Sequence, residues 1–186
     1  INVTILQNKS HTVMNTNDHG IGSLRELVSI ACPNDTILFD SSTDGNAIVL
    51  TTGVIVLDKN LVILGNDSSS TIIDGGNSSR IFNVNAGVAI LLSDAKLQNG
   101  KTRYGGAIYN SGSLALNSVT FANNKAEIAV VGNVNGGAIY NTGNITITNS
   151  CLLSIKKSLR SKNKVLISVN NFMYLYLYLI FFKKKN

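Results

Sequence analysis

Gly105-Gly106-Ala107-Ile108-Tyr109-Asn110 returns as Gly136-Gly137-Ala138-Ile139-Tyr140-Asn141, a shift of 31 residues. The similarity runs on, because Ser111-Gly112-Ser113-Leu114-Ala115-Leu116 aligns with Thr142-Gly143-Asn144-Ile145-Thr146-Ile147. Identity at a fixed offset, with apolar positions matching behind it, defines an internal repeat whose units must stack to bury their apolar faces. Within the unit, Leu114, Leu116, Val119 and Phe121 are apolar with small or polar residues between, and Ile145-Thr146-Ile147-Thr148 alternates strictly. Period two places successive side chains on opposite faces of a strand. The density of Gly and β-branched residues argues against a helix.

Fainter copies lie upstream. Ile81-Phe82-Asn83-Val84, Ala86-Gly87 and Val88-Ala89-Ile90-Leu91 repeat the order strand, Gly turn, strand. Val54–Leu57, Leu61–Leu64 and Thr71-Ile72-Ile73-Asp74-Gly75-Gly76 are short apolar runs closed by Gly, Asn or Asp. Many short strands without helices between them fit an antiparallel sandwich or a parallel β-helix. The repeat favours the second, since like coils stacked about 4.8 Å apart make a continuous core. The expected fold is all-β, a parallel β-helix, with residues 105–124 as one coil and 125–135 as a loop inserted before the next. Asn110 and Asn141 then stand one above the other in an amide ladder. The Gly pairs 105–106 and 136–137 let the backbone bend where a Cβ would clash.

One helix is expected, over about 23–31. Ser23 caps it, Glu26 completes a capping box, Leu24, Leu27, Val28 and Ala31 share a face, and Pro33 stops it. Ahead of a β-solenoid such a helix covers the first coil.

The net charge of +6 hides a split. Residues 1–151 carry eight basic and all ten acidic side chains, a balance of −2, whereas 152–186 carry the other eight basic residues and no acid. The overall basicity is therefore no argument for nucleic-acid binding. Cys32 and Cys151 do not make a disulfide framework or a zinc site. The body has no run of 18 apolar residues. The sequence begins at Ile1, with no charged n-region and apolar h-region ahead of the body, and is expected to be a fragment of a longer protein or a mature form.

After Cys151 the grammar changes. Gly, Ala, Thr, Asp, Glu, Gln and Pro disappear, and Lys, Asn, Leu, Ile, Tyr, Phe and Ser dominate. These residues have mostly A/T-rich codons, so a frameshift or run-on is the reading adopted. The alternative is a membrane anchor, since Phe172–Phe182 is apolar and Lys183-Lys184-Lys185 comes next. The expected division is a lead-in over 1–12, the capped solenoid over 13–151, and a tail over 152–186 outside the coils, with membrane contact by 172–185 kept open.

Two resemblances rest on these residues. Asn15-Thr16-Asn17-Asp18-His19-Gly20-Ile21-Gly22-Ser23-Leu24-Arg25-Glu26-Leu27 resembles the opening of bacterial surface proteins with a Ser-Leu-Arg-Glu-Ala signature, with Leu27 in place of its Ala and Gly22 in place of its Cys. Asp35-Thr36-Ile37-Leu38-Phe39-Asp40 is similar to the stretch just after the signature in that family. Gly105-Gly106-Ala107-Ile108 with Phe121-Ala122-Asn123-Asn124 resembles the chlamydial polymorphic outer-membrane protein repeat, marked by Gly-Gly-Ala-Ile and Phe-x-x-Asn. Gly136-Gly137-Ala138-Ile139 carries only the first mark. The resemblance covers about residues 13–151. It implies a right-handed coil in a secreted or surface-displayed passenger, adhesive in the chlamydial case.

Other β-helices are polysaccharide lyases and glycosidases, which need carboxylates gathered on one face. Here Asp74, Asp94, Arg80 and Arg103 are scattered. Asp74-Gly75-Gly76 reads as a turn, Arg80 as a solvated edge residue, and His11 and His19 as surface or cap residues. No nucleophile elbow, phosphate loop or metal-ligand cluster is present in the sequence. Tyr109 and Tyr140 are equivalent and are the candidate binding residues. Facing outward, with Tyr104 nearby, they would form an aromatic ladder for sugar or protein; otherwise they pack into the solenoid wall. The expected function is a non-enzymatic, extracellular or outer-membrane adhesin-like module. It would be monomeric, without cofactor or metal, and would meet a host-cell protein or glycan rather than nucleic acid. The alternatives are a pectin-lyase-like enzyme and a non-functional frameshifted product.

Overall fold

A computed structural model of the chain describes residues 8–127, 136–153, 159–161 and 165–168. The inserted loop within 125–135, from residue 128 on, and the stretch 172–185 lie outside the described residues.

Among the described residues every paired strand runs parallel to its neighbour, in a β-solenoid. The first face runs Ser10–Val13, Asp35–Phe39, Leu61–Leu64, the start of Ala89–Gln98, the start of Ser113–Ala122, Asn144–Thr148 and Val165–Ser168. The second stacks Ala47–Val49, Ile72–Asp74, the ends of the two long strands, and Cys151–Leu153. The third stacks Ile55–Leu57, Phe82–Val84, Ile108–Asn110, Ile139–Asn141 and Leu159–Ser161. The two long strands turn from the first face to the second at Asp94 and Ser118, whose φ of 55° and 54° put them in the left-handed region.

The register explains the core. On the first face Ile37, Ile63, Leu92, Leu116 and Ile147 form one buried column. On the second, Ile48, Ile73, Leu97 and Phe121 form another. Ile55, Phe82, Ile108 and Ile139 line the third. Each such side chain contributes about 1.5–3 kcal/mol by leaving water, and none of that is available to one coil alone.

The helix spans Leu24–Ile30 and packs against the first two strands of the first face. Ser23 Oγ accepts from the Glu26 N–H at 3.3 Å. The Glu26 carboxylate reaches back one residue further than a capping box requires, accepting from the Gly22 N–H at 2.7 Å. Leu24, Leu27, Val28 and Ala31 are buried, so the helix closes the open end of the core. Asp18 ties this cap to the first coil. It accepts from Arg25 Nη2 at 2.7 Å and from the Thr51 and Thr52 N–H and hydroxyl groups, while Arg25 also donates to the carbonyls of Gly53 and Val54.

Three expectations need correction. Ser10–Val13 is not a lead-in but the first strand, paired with Asp35–Phe39; its polar sequence hides it, since only Val13 is buried. Lys125–Ala126 is not part of an inserted loop but pairs with Lys101–Thr102, so the coil runs on past Asn124. The coils also do not stop at Cys151. Cys151–Leu153, Leu159–Ser161 and Val165–Ser168 add parallel strands, with Val165 and Ile167 at the register of Ile145 and Ile147. Apolar residues that fall on the register of the coil before let a strand join the stack even where the Gly and Asn grammar of the body is lost. Among the described residues no helix is long and apolar enough to cross a membrane.

Candidate functional site

The repeat motif is architecture first. Gly105 and Gly136 adopt φ of 65° and 64°. At Gly106, a Cβ would collide with the Gly137 carbonyl oxygen. Ala107 and Ala138 are fully buried. Ile108 lies on Ile139, Tyr109 on Tyr140 and Asn110 on Asn141. Asn110 Nδ2 donates to Asn141 Oδ1 at 2.6 Å and to the Asn144 carbonyl at 2.8 Å, while Asn110 Oδ1 accepts from the Gly112 N–H at 3.1 Å. The Phe-x-x-Asn mark has the same logic. Phe121 fills the core, and Asn124, fully buried, accepts from the Gly100 N–H and donates to the Leu97 carbonyl, each at 2.8 Å, on the coil below.

The same alternation that buries Ile108 and Asn110 turns Tyr109 outward, half-exposed, and Tyr140 above it likewise. Their ring centroids lie 5.3 Å apart with planes 31° from parallel. Tyr104, from the turn ahead of Gly105, adds a third ring 5.2 Å from Tyr140. The two alternatives left open by the sequence both hold in part: the rings are half-exposed, and they also pack on one another along the wall.

Arg80 departs from its expectation as a solvated edge residue. Its guanidinium donates to the Gly105 carbonyl at 3.0 Å, the Tyr104 carbonyl at 2.6 Å and the Thr102 hydroxyl at 3.3 Å, all on the next coil. Its Cζ sits 5.1 Å from the Tyr109 ring centroid. Burial pushes its pKa down, but a guanidinium remains charged at neutral pH. Arg103 stacks on Tyr104, also at 5.1 Å. Sequence reasoning missed this grouping because Arg80 lies about one coil before its partners. The available signal was a cation two residues ahead of the strand beneath Tyr109.

Asp74 is bound to its own turn and to the next coil. Asp74 Oδ1 accepts from the Gly76 N–H at 2.7 Å, the turn expected there, and Oδ2 accepts from Gln98 Nε2 and Asn99 Nδ2, each at 2.7 Å. Asp94 turns a corner between faces. His11 Nε2 lies 2.8 Å from Asp35, within the N-terminal coil, and His19 is exposed. Among the described residues no three His, Cys, Asp or Glu side chains gather as a metal site would need.

Residues 118–142 match the Chlamydia polymorphic membrane protein repeat. The matched stretch runs from the corner at Ser118 through Phe121 and Asn124 to the second Gly-Gly-Ala-Ile and the buried Asn141. No curated protein and no solved structure matches the chain.

Proposed function

We propose that the chain is a length of surface-displayed solenoid that works as a non-enzymatic, adhesin-like interaction module at a bacterial outer surface. One observation carries the reading. The residues that match a polymorphic membrane protein repeat are those that lock one coil to the next, so the repeat here is a working structural unit. A stack of such coils presents long flat walls, and walls suit contact with a large partner better than enclosure of a small substrate. The aromatic patch on the third face is the feature of the wall best suited to such contact. Commitment of Asp74 to three hydrogen bonds argues against the lyase alternative.

The test is adhesion. Beads coated with the folded chain should bind cultured epithelial cells saturably, and soluble chain should compete. Beads that bind no better than albumin-coated ones, across several cell types, would sink the proposal. Release of unsaturated oligosaccharides from polyuronates would replace it with the enzymatic one.

A further inference from the structure

We infer that the third face carries a binding site for an acidic polysaccharide, built from Tyr104, Tyr109 and Tyr140 with the guanidinium groups of Arg80 and Arg103. It rests on the adhesin reading and names the ligand class of the same site. Three half-exposed rings form a cluster across two adjacent coils, with the Tyr140 centroid 5.2 Å from Tyr104 and 5.3 Å from Tyr109. The half-exposed parts of these rings offer a sugar contact at low entropic cost, because each Tyr has only two side-chain torsions to fix.

Charge decides which sugars. Four of the eight basic residues in 1–151 belong to this corner: Arg80, Lys101, Arg103 and Lys125. Lys101 and Lys125 are register partners on adjacent coils, an arrangement that places like charges side by side. Glu127 lies 3.4 Å from Lys101. Arg80 is held in place before any ligand arrives. Nε and Nη2 are occupied by oxygens of the next coil, and Nη1 makes no hydrogen bond among the described residues. No carboxylate pairs with Arg80 among the described residues. A half-buried cation met by carbonyls, a hydroxyl and a ring, all of them neutral, favours an anionic acceptor at its remaining amino group. Acid groups borne on pyranose rings satisfy the cluster and the cation together, whether those groups are carboxylates or sulfates.

The experiment is isothermal titration of the full chain with a hyaluronan octasaccharide (carboxylate only), a heparin octasaccharide (carboxylate and sulfate) and neutral maltooctaose. At least one acidic probe should bind while the neutral one does not, and the two acidic arms separate the sources. Tyr140→Ala and Arg103→Gln should each weaken binding about tenfold. Because the tail is basic, a variant with Lys183→Gln, Lys184→Gln and Lys185→Gln must retain binding. Silence with both acidic probes, equal binding of maltooctaose, or binding lost with the tail lysines but indifferent to Tyr140→Ala and Arg103→Gln would each overturn the inference. Cell adhesion that persists while acidic probes fail would remove this site and leave the adhesin reading standing.

Discussion

Asn110 donates its side-chain amide to Asn141 Oδ1 at 2.6 Å, one coil further along, with both side chains fully buried. A buried amide in an apolar column is costly unless its groups are paired, and Asn110 is paired with its own turn, at the Gly112 N–H, and with the next coil, at the Asn144 carbonyl. The column changes from Leu57 and Val84 to Asn110 and Asn141 where the Gly-Gly-Ala-Ile repeat begins. Asn110→Ala should therefore cost about 2–4 kcal/mol, since it orphans donors and acceptors on both coils. Urea denaturation should show a lower midpoint with an unchanged slope. Asn83→Ala, on the outward row of the same face, should move the midpoint little.

The glycines separate two kinds of requirement. At Gly143 a Cβ would run into the Gly112 carbonyl oxygen, a backbone atom that cannot step aside. At Gly45 nothing lies within 4 Å, and the only obstacle is φ of +72°. Gly45→Ala should cost about 1–2 kcal/mol, the ordinary strain of a left-handed residue. Gly143→Ala should cost more, because it forces neighbouring coils apart as well. Paired thermal melts of the two variants test the order, and equal midpoints would contradict the contact.

Much of this architecture was legible because stacking writes itself into sequence. The 31-residue offset predicted that Ile108 would meet Ile139, and their strands pair in parallel at that register. Ser23, Glu26 and Leu24 marked the helix for local reasons. What stayed hidden depends on contacts one coil away with no repeated partner. Arg80 reaches Gly105, and Asp18 reaches Thr51 and Thr52 across 33 and 34 residues, and nothing near either residue announces the other end. Ser10–Val13 was missed because only Val13 is buried, so its polar run carries no apolar alternation to read.

Acid should loosen the N-terminal end first. Asp35 is held at a pKa of about 2 by the Lys9 N–H, His11 and the Cys32 N–H, against about 3.9 in an unfolded chain. A lowered carboxylate pKa stabilises the fold above the unfolded value, and that stability is lost as pH falls through the folded one. Asp18 acts in the same direction: its burial alone raises the pKa, but the Thr52 hydroxyl, Arg25 and the remaining donors outweigh it. Urea midpoints should decline between about pH 4 and pH 2. Asp35→Asn should start lower and decline less steeply across that window; an identical slope would remove Asp35 from the explanation.

The parallel register itself can be tested without a high-resolution experiment. Ala115 and Thr146 are partners on adjacent coils of the first face, and neither is fully buried. Parallel neighbours about 4.8 Å apart fall inside the Cα separation a disulfide tolerates. Cys32 is exposed and Cys151 is half-exposed, so the background must carry Cys32→Ser and Cys151→Ser. Ala115→Cys with Thr146→Cys should then oxidise readily under mild copper-phenanthroline, giving a loop that migrates faster on a non-reducing gel. Ala115→Cys with Thr148→Cys, two positions out of register, should oxidise far more slowly, because the second sulfur is displaced along the strand by about 6–7 Å. In a sandwich of antiparallel strands the register partners would have no reason to lie together. Equal rates for the two pairs would therefore count against the stacked coil, and with it the wall on which the aromatic cluster is built.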